Sequence, residues 1–371
     1  MMGRRMAFLV VAALLGVAGY VAAAPAAGAS GRRVIVVTGS IQAAVDAASP
    51  GDTVLVPPGT YQGGVVLDKS GITIRGSRAA VIDATGHRYG IQVGTGQVTP
   101  GSDGNGVCPA VSLQGITIDG LTIRDAGDVG LFMIGVDGFR ITGGRYVDNA
   151  EYGPFPVCSR HGVIDRNDVS GTDDAGIYVG DDLGVTVRGN RVHGCAIGVE
   201  IENSQHSVVT GNVLTGNTVG ALVSLLPGLP FPVNDDTVIA ANQISRNNLP
   251  NPVPPDSGDD VGLLPTGSGI INVGGDHVSI LGNVILGNDS VGVGIVQSPF
   301  GPADPRLEVN PDGNTVRANV ILHNGLRPDP LRATTPGADI VYDGSGVGTC
   351  FGRNVFGTDF PAGIASTFRC P

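Results

Sequence analysis

Val187-Arg188-Gly189-Asn190-Arg191-Val192 is followed, after a short break, by Ile197-Gly198-Val199-Glu200-Ile201-Glu202, and this pair of segments recurs along the chain. The second segment opens on an apolar or small residue and a Gly. Its counterparts begin at Val129-Gly130, Tyr152-Gly153, Ala175-Gly176, Val219-Gly220, Ser268-Gly269 and Val291-Gly292, with Gly spacings of 23, 23, 22, 22, 49 and 23 residues. The first segment belongs to a row half a repeat away: Gly120, Gly144, Asn167, Asn190, Asn212, Asn242, Asn283 and Asn319. Self-similarity at such a period defines a solenoid. Each repeat holds three short runs that alternate apolar and polar, separated by Gly, Asn or Asp. Alternation sends successive side chains to opposite faces of a strand, and Gly and Asn tolerate the left-handed turns between strands. The pattern predicts an all-β fold, a right-handed parallel β-helix of 22–23 residues per coil. The rival is a leucine-rich repeat. It would be rich in Leu and often return through a helix, whereas Gly198-Val199-Glu200-Ile201-Glu202 alternates like a strand.

An open coil end exposes unpaired strand edges and needs a cap. Ser40, followed by Ile41-Gln42-Ala43-Ala44-Val45-Asp46-Ala47-Ala48, reads as a short capped amphipathic helix that plugs the N-terminal end. Composition agrees with a solenoid. Gly accounts for 60 of 371 residues, Trp is absent, and only 15% are charged against a usual ~25%. The 42% hydrophobic content excludes a disordered chain. A net charge of −11, with no basic run in the sequence, argues against nucleic-acid binding.

Arg4 and Arg5 precede an apolar run from Met6 to Ala24, and Ala27-Gly28-Ala29 supplies a small-x-small cleavage pattern. We read residues 1–29 as a signal peptide; a membrane anchor is the alternative, because the run is just long enough to span. Residues 30–371 then form one β-helix domain of an extracellular protein, secreted or on the cell surface, expected to be monomeric and to have no membrane span once the signal is removed. Three excess stretches break the Asn spacing, near residues 224–236, 247–267 and 297–313. Each is Pro-rich, so it cannot join the ladder and must project, flanking one face and able to wall a groove. Export permits disulfides. Cys350 and Cys370 bracket the last segment and are paired as a staple. Cys108 with Cys158 would leave Cys195 over, but the spacing does not decide among these three.

Candidate chemistry lies beside the Gly motif. Two residues before successive Gly stand Asp128, Glu151 and Asp174. Coils stack about 4.8 Å apart, so these acids would form a ladder that either keeps a proton or binds a cation, for which calcium is the suitable choice. The sequence requires no other cofactor. Two residues after Gly stand Phe132, Phe155, Tyr178 and Glu200, a row that could hold sugar faces; Glu202 extends the acidic surface. Scattered His and a single late Met, Met133, argue against copper.

Ser40 to Tyr61, with Pro57-Pro58-Gly59-Thr60-Tyr61, resembles the opening of pectin-lyase-like right-handed β-helix proteins, and the Gly-Asn rows resemble their parallel β-helix repeats over residues 34–371. Within that superfamily, Gly171-Thr172-Asp173-Asp174-Ala175-Gly176 resembles the paired-Asp segment of polygalacturonases, and His193-Gly194 part of their Gly-His-Gly segment. The resemblance implies catalytic roles for Asp173, Asp174 and His193. The family's Arg-x-Lys is absent, since the only Lys is Lys69, and Asp148-Asn149-Ala150 replaces Asn-Thr-Asp. The expected function is binding of a polysaccharide, with groups that could cleave or modify it as a lyase, hydrolase or epimerase. The alternative is a non-catalytic surface or cell-wall β-helix protein that serves as a stiff display rod.

Overall fold

The computed structural model describes residues 32–102 and 104–371, so the signal segment 1–29 lies outside the described residues. Residues 33–371 form one compact unit. From Thr53 on, every coil contributes a strand to each of three long parallel sheets; Val34–Val36 adds one more to the first sheet, giving twelve strands there and eleven in each of the other two. One coil runs through Thr186–Arg188 in the first sheet, Arg191–His193 in the second and Ile197–Glu202 in the third. The inward row of each sheet is aliphatic and stacks on its own kind: Val187 between Ile164 and Val209, Val192 between Val169 and Leu214, Val199 between Ile177 and Ala221. All nine are at most 1% exposed. Full burial of such a Val, Leu or Ile side chain is worth roughly 1.5–3 kcal/mol, and one row repeated over many coils supplies the core.

Asn190 explains the corner between the first two strands. Its Nδ2 donates to the Ile164 carbonyl and to Asn212 Oδ1, at 2.9 and 3.0 Å, while its Oδ1 accepts from the backbone N–H and Nδ2 of Asn167. The pattern continues through Asn212, Asn242, Asn283 and Asn319 to Asn354. A buried amide at each corner thus satisfies backbone groups that would otherwise be left without partners. The sequence reading assigned left-handed geometry to Asn itself. Instead the preceding residue adopts it: Gly189 has φ 61°, and Ala241 and Ala318 take the same turn at 55° and 57°. A second amide ladder, Asn217, Asn247, Asn288 and Asn324, ends on Asp339 at the next corner.

The helix at the N-terminal end spans Ile41–Ala47, with Ser40 Oγ accepting from the Ala43 N–H and Ile41, Ala44 and Val45 buried against the first coil. Disulfides join Cys350 to Cys370 and Cys108 to Cys158, and Cys195 is buried and free. The coil path is left between Ser224 and Val238, Ser245 and Ser268, and Val296 and Thr315. It is also left between Leu322 and Ala338, an excursion that the sequence reading did not separate. Among the described residues no helix is long and apolar enough to cross a membrane.

Candidate acid-base site

The outer face of the third sheet carries the acids. Tyr178, Glu200, Leu222 and Ile271 share one outward row, and Gly180, Glu202, Ser224 and Val273 share the row two residues on. Tyr178 leans along its strand over Gly180, where a Cβ would come within 2.0 Å of the phenol oxygen. That lean brings the Tyr178 O–H to Glu202 Oε1 at 2.6 Å. The Ser224 hydroxyl donates to Glu200 Oε1 at 3.0 Å. One coil earlier, the Tyr152 O–H donates to Asp174 Oδ2 at 2.5 Å, and Asp174 Oδ1 is buried without a partner. Val253, Val261 and Leu264, from the excursion before Ser268, pack on the same face against Tyr178, Leu222 and Ile271.

This cover leaves Glu200 only 3% and Glu202 8% exposed. Burial disfavours the charged form. It pushes Asp174 up to about 7 and Glu202 up to about 8, and it drives Glu200 well above the usual carboxylate range. The charges that act most strongly on them are acidic: Asp260 of the covering loop, itself raised by burial, acts on all three, joined by Asp259 and Glu151 at Asp174, by Glu202 and Asp174 at Glu200, and by Asp181 and Asp174 at Glu202. The Tyr152, Tyr178 and Ser224 hydroxyls oppose the rise by donating to the carboxylates. A group of carboxyls that keeps protons near neutrality can give and take them. A cleft of about 410 Å³ continues along the same face over Leu222, Ile271 and Val341. Leu226, Leu264, Phe300 and Thr334, one from each excursion, line it, with Asp260 also on its wall.

The structure separates the residues that sequence reading grouped. Asp174 enters the site, but Asp173 is exposed, and His193 sits on the second sheet with Nε2 3.5 Å from Asp168 Oδ1. The turn between Arg191–His193 and Ile197–Glu202 swings the outward direction from one sheet to the other, so His193 and Asp174 serve different faces. The proposed calcium ladder does not assemble either. Arg88 Nε holds Asp128 at 2.6 Å, Glu151 is exposed, and the Asp174 carboxylate is bound by Tyr152. Among the described residues no group of three His, Cys, Asp or Glu side chains could hold a metal ion. Phe132, Phe155 and Tyr178 do stack, Phe155 on Tyr178 at 4.1 Å and Phe132 on Phe155 at 5.8 Å. Tyr89 extends the stack by covering Phe132 at 4.9 Å. Rings stacked this way cover one another's faces and offer their edges outward. Asp260 and the partnering by Tyr152 and Ser224 escaped sequence reading, since only the fold brings a loop acid and a neighbouring coil to Glu200.

Comparison with known proteins agrees with this architecture. Residues 63–226 match the family described as right handed beta helix region. An alginate lyase from Paenibacillus sp. str. FPU-7 superposes with a TM-score of 0.57 at 16% identity, over 85% of this chain and 99% of that one. The A-module of the Azotobacter vinelandii mannuronan C-5 epimerase AlgE4 gives 0.54 at 14%, over 86% and 92%. DFA-IIIase from Arthrobacter chlorophenolicus A6, in complex with GF2, gives 0.53 at 15%, over 87% and 94%. No curated protein matches the sequence. The chain is therefore a right-handed parallel β-helix protein, and these similarities at low identity establish that fold.

Proposed function

We propose that the protein hydrolyses a neutral polysaccharide with the buried carboxyl group of the third sheet. The observation that carries this reading is the set Asp174, Glu200 and Glu202, each raised by burial and each bonded to a hydroxyl, beside a walled cleft. Glycoside hydrolysis needs one protonated carboxyl and one carboxylate. Glu202, at about 8, keeps its proton at neutral pH and would give it to the leaving glycosidic oxygen. Asp174, at about 7, is ionised in part of the population and would take a proton from the attacking water. Water adds across the broken C–O bond, and proton exchange with solvent resets both groups. A neutral sugar is preferred because the charges that act most strongly on the site are acidic and would repel a uronate. Polysaccharide activity in the alginate lyase and epimerase named above supports the substrate class by analogy of fold alone.

A second reading is binding without turnover, favoured by the low exposure of Glu200 and Glu202. We place the mature protein, residues 30–371, outside the cytoplasm, a position that two disulfides and the N-terminal signal pattern support. The test is a screen of purified protein on neutral and uronate polysaccharides, reading new reducing ends and unsaturated products separately. New reducing ends from a neutral polymer, lost in Glu202→Gln with no fall in melting temperature, are expected. Unsaturated products from a uronate polymer, or turnover that survives Glu202→Gln, would overturn the reading. Retention on a glycan without turnover would select the second one.

A further inference from the structure

The first sheet has its own charge pattern, on a different face from the carboxyl group. One outward row runs Asp165, Arg188, Thr210, Ala240, Leu281, Arg317 and Gly352, coil by coil. Early in the row three arginines converge on one carboxylate: Arg140, Arg166 and Arg188 lie 2.5, 3.7 and 3.7 Å from Asp165 Oδ2. At the C-terminal end three arginines again share one place on the surface. Arg317, Arg353 and Arg369 line one depression of about 550 Å³ with Gly352, Cys370 and Pro371. Beside Arg317 the row position belongs to Gly352, which has no side chain, whereas Asp165 stands beside Arg188. Among the described residues none of the three has an ion pair or side-chain hydrogen bond, although twelve other arginines are ion-paired. They are also far apart in sequence, so no basic run marks them. Arg369 is held beside Phe351 by a backbone bridge, and the Cys350–Cys370 disulfide ties its neighbour to the same coil.

We propose that this arginine depression is a binding site for a carboxylate-bearing ligand, which supplies from outside the acid that Asp165 supplies within the chain. A guanidinium pairs with a carboxylate through charge-assisted hydrogen bonds, and three like charges around one hollow favour an anion between them. The ligand is a free carboxylate or a uronate unit of a longer chain. The site does not depend on hydrolysis at the third sheet.

The test is calorimetric titration of the purified protein with a monomeric uronate, a uronate oligomer, a neutral oligomer of the same length and inorganic phosphate. Uronate binding that weakens with salt and is absent for the neutral oligomer is expected. Tighter binding of the oligomer than the monomer would assign the site to a polymer chain, and equal binding to a free carboxylate. Arg353→Gln with Arg369→Gln should weaken binding by about tenfold or more. Gly352→Asp should do the same with every arginine kept, because it places an acid beside Arg317. Should that variant fail to fold, the double Gln variant still decides. Glu202→Gln should leave uronate binding unchanged. Equal binding of the neutral oligomer, binding of phosphate but not uronate, no binding at all, or affinity unaffected by the arginine and Gly352 variants would each overturn the proposal.

Discussion

Glu202→Gln should stabilise the folded protein at pH 8 and flatten its dependence on pH. Glu202 titrates near 4.5 in an unfolded chain and at about 8 in the fold, where burial is the main cause. Between those values the folded state binds more protons than the unfolded state, so stability falls as pH rises through the window. Each pH unit of difference is worth about 1.4 kcal/mol, so Glu202 alone withdraws roughly 4–5 kcal/mol at the top of the window. Asp174, raised from 3.8 to about 7, acts in the same direction and shares the same charges, so the two effects do not add. Groups with lowered values act elsewhere. Asp52, held at about 2 chiefly by its hydrogen bond from Arg33, contributes stability that is lost only in strong acid. At about 2 cal/mol/K per residue, a unit of this size has an unfolding entropy near 0.7 kcal/mol/K, and 4 kcal/mol corresponds to about 6 °C. Thermal melts followed by circular dichroism from about pH 5 to about pH 8, at fixed ionic strength, read the effect. The wild type should melt several degrees lower at the alkaline end, and Glu202→Gln should melt above it there. A wild type that gains stability as pH rises, or two parallel curves, would refute the reasoning.

The corner ladder gives a second test. Asn212→Ala removes the side-chain partners of the Asn190 amide and the Val187 carbonyl, both buried, and one of the two donors to Asn242 Oδ1, which keeps the Asn212 backbone N–H; it should cost about 2–4 kcal/mol in a denaturant melt. Gly180→Ala drives a methyl group into the Tyr178 ring and should break its bond to Glu202; the expected cost is about 1–3 kcal/mol, with a changed tyrosine absorbance in a difference spectrum. Cys350 and Cys370 should appear as one linked peptide in a non-reducing digest, and replacing both with Ser should remove about 3 kcal/mol, because the bridge closes a separation of 20 residues.

The sequence was most legible where one residue type has one physical role. The Asn row repeats because each amide fills the same corner, so Asn190, Asn212 and Asn283 announce the coil wherever they occur. The Gly row is legible for a similar reason: Gly198 and Gly220 sit where an added Cβ would meet the carbonyl oxygen of the next coil. Alternation then gives the side of a sheet on which each residue points, and it placed Tyr178, Glu200 and Glu202 outward. It carries no information about which outward face a loop will cover. Val261 and Leu264, which pack on the face beside Glu200 and Glu202, and Asp260, which acts on both, belong to a Pro-rich stretch with no period. His193 misled for a related reason. It is one coil from Asp174 in sequence, but the turn at Gly194 assigns it to another sheet.

The Asn corner has a consequence for how such a chain can be rebuilt. Asn212 bonds to Asn242 across 30 residues, Asn242 to Asn283 across 41 and Asn283 to Asn319 across 36, with the amide distances all close to 3.0 Å. Contour length between corners is therefore free while the corners stay fixed. The excursions are therefore places for exchange: a segment whose two ends meet the coil at Leu249 and Gly267 can replace 250–266 while Asn247 keeps its place between Asn217 and Asn288 and Ile244 its registry on Ile285. Grafting foreign loops between Leu249 and Gly267 would turn this surface into a scaffold whose specificity is chosen independently of its coils.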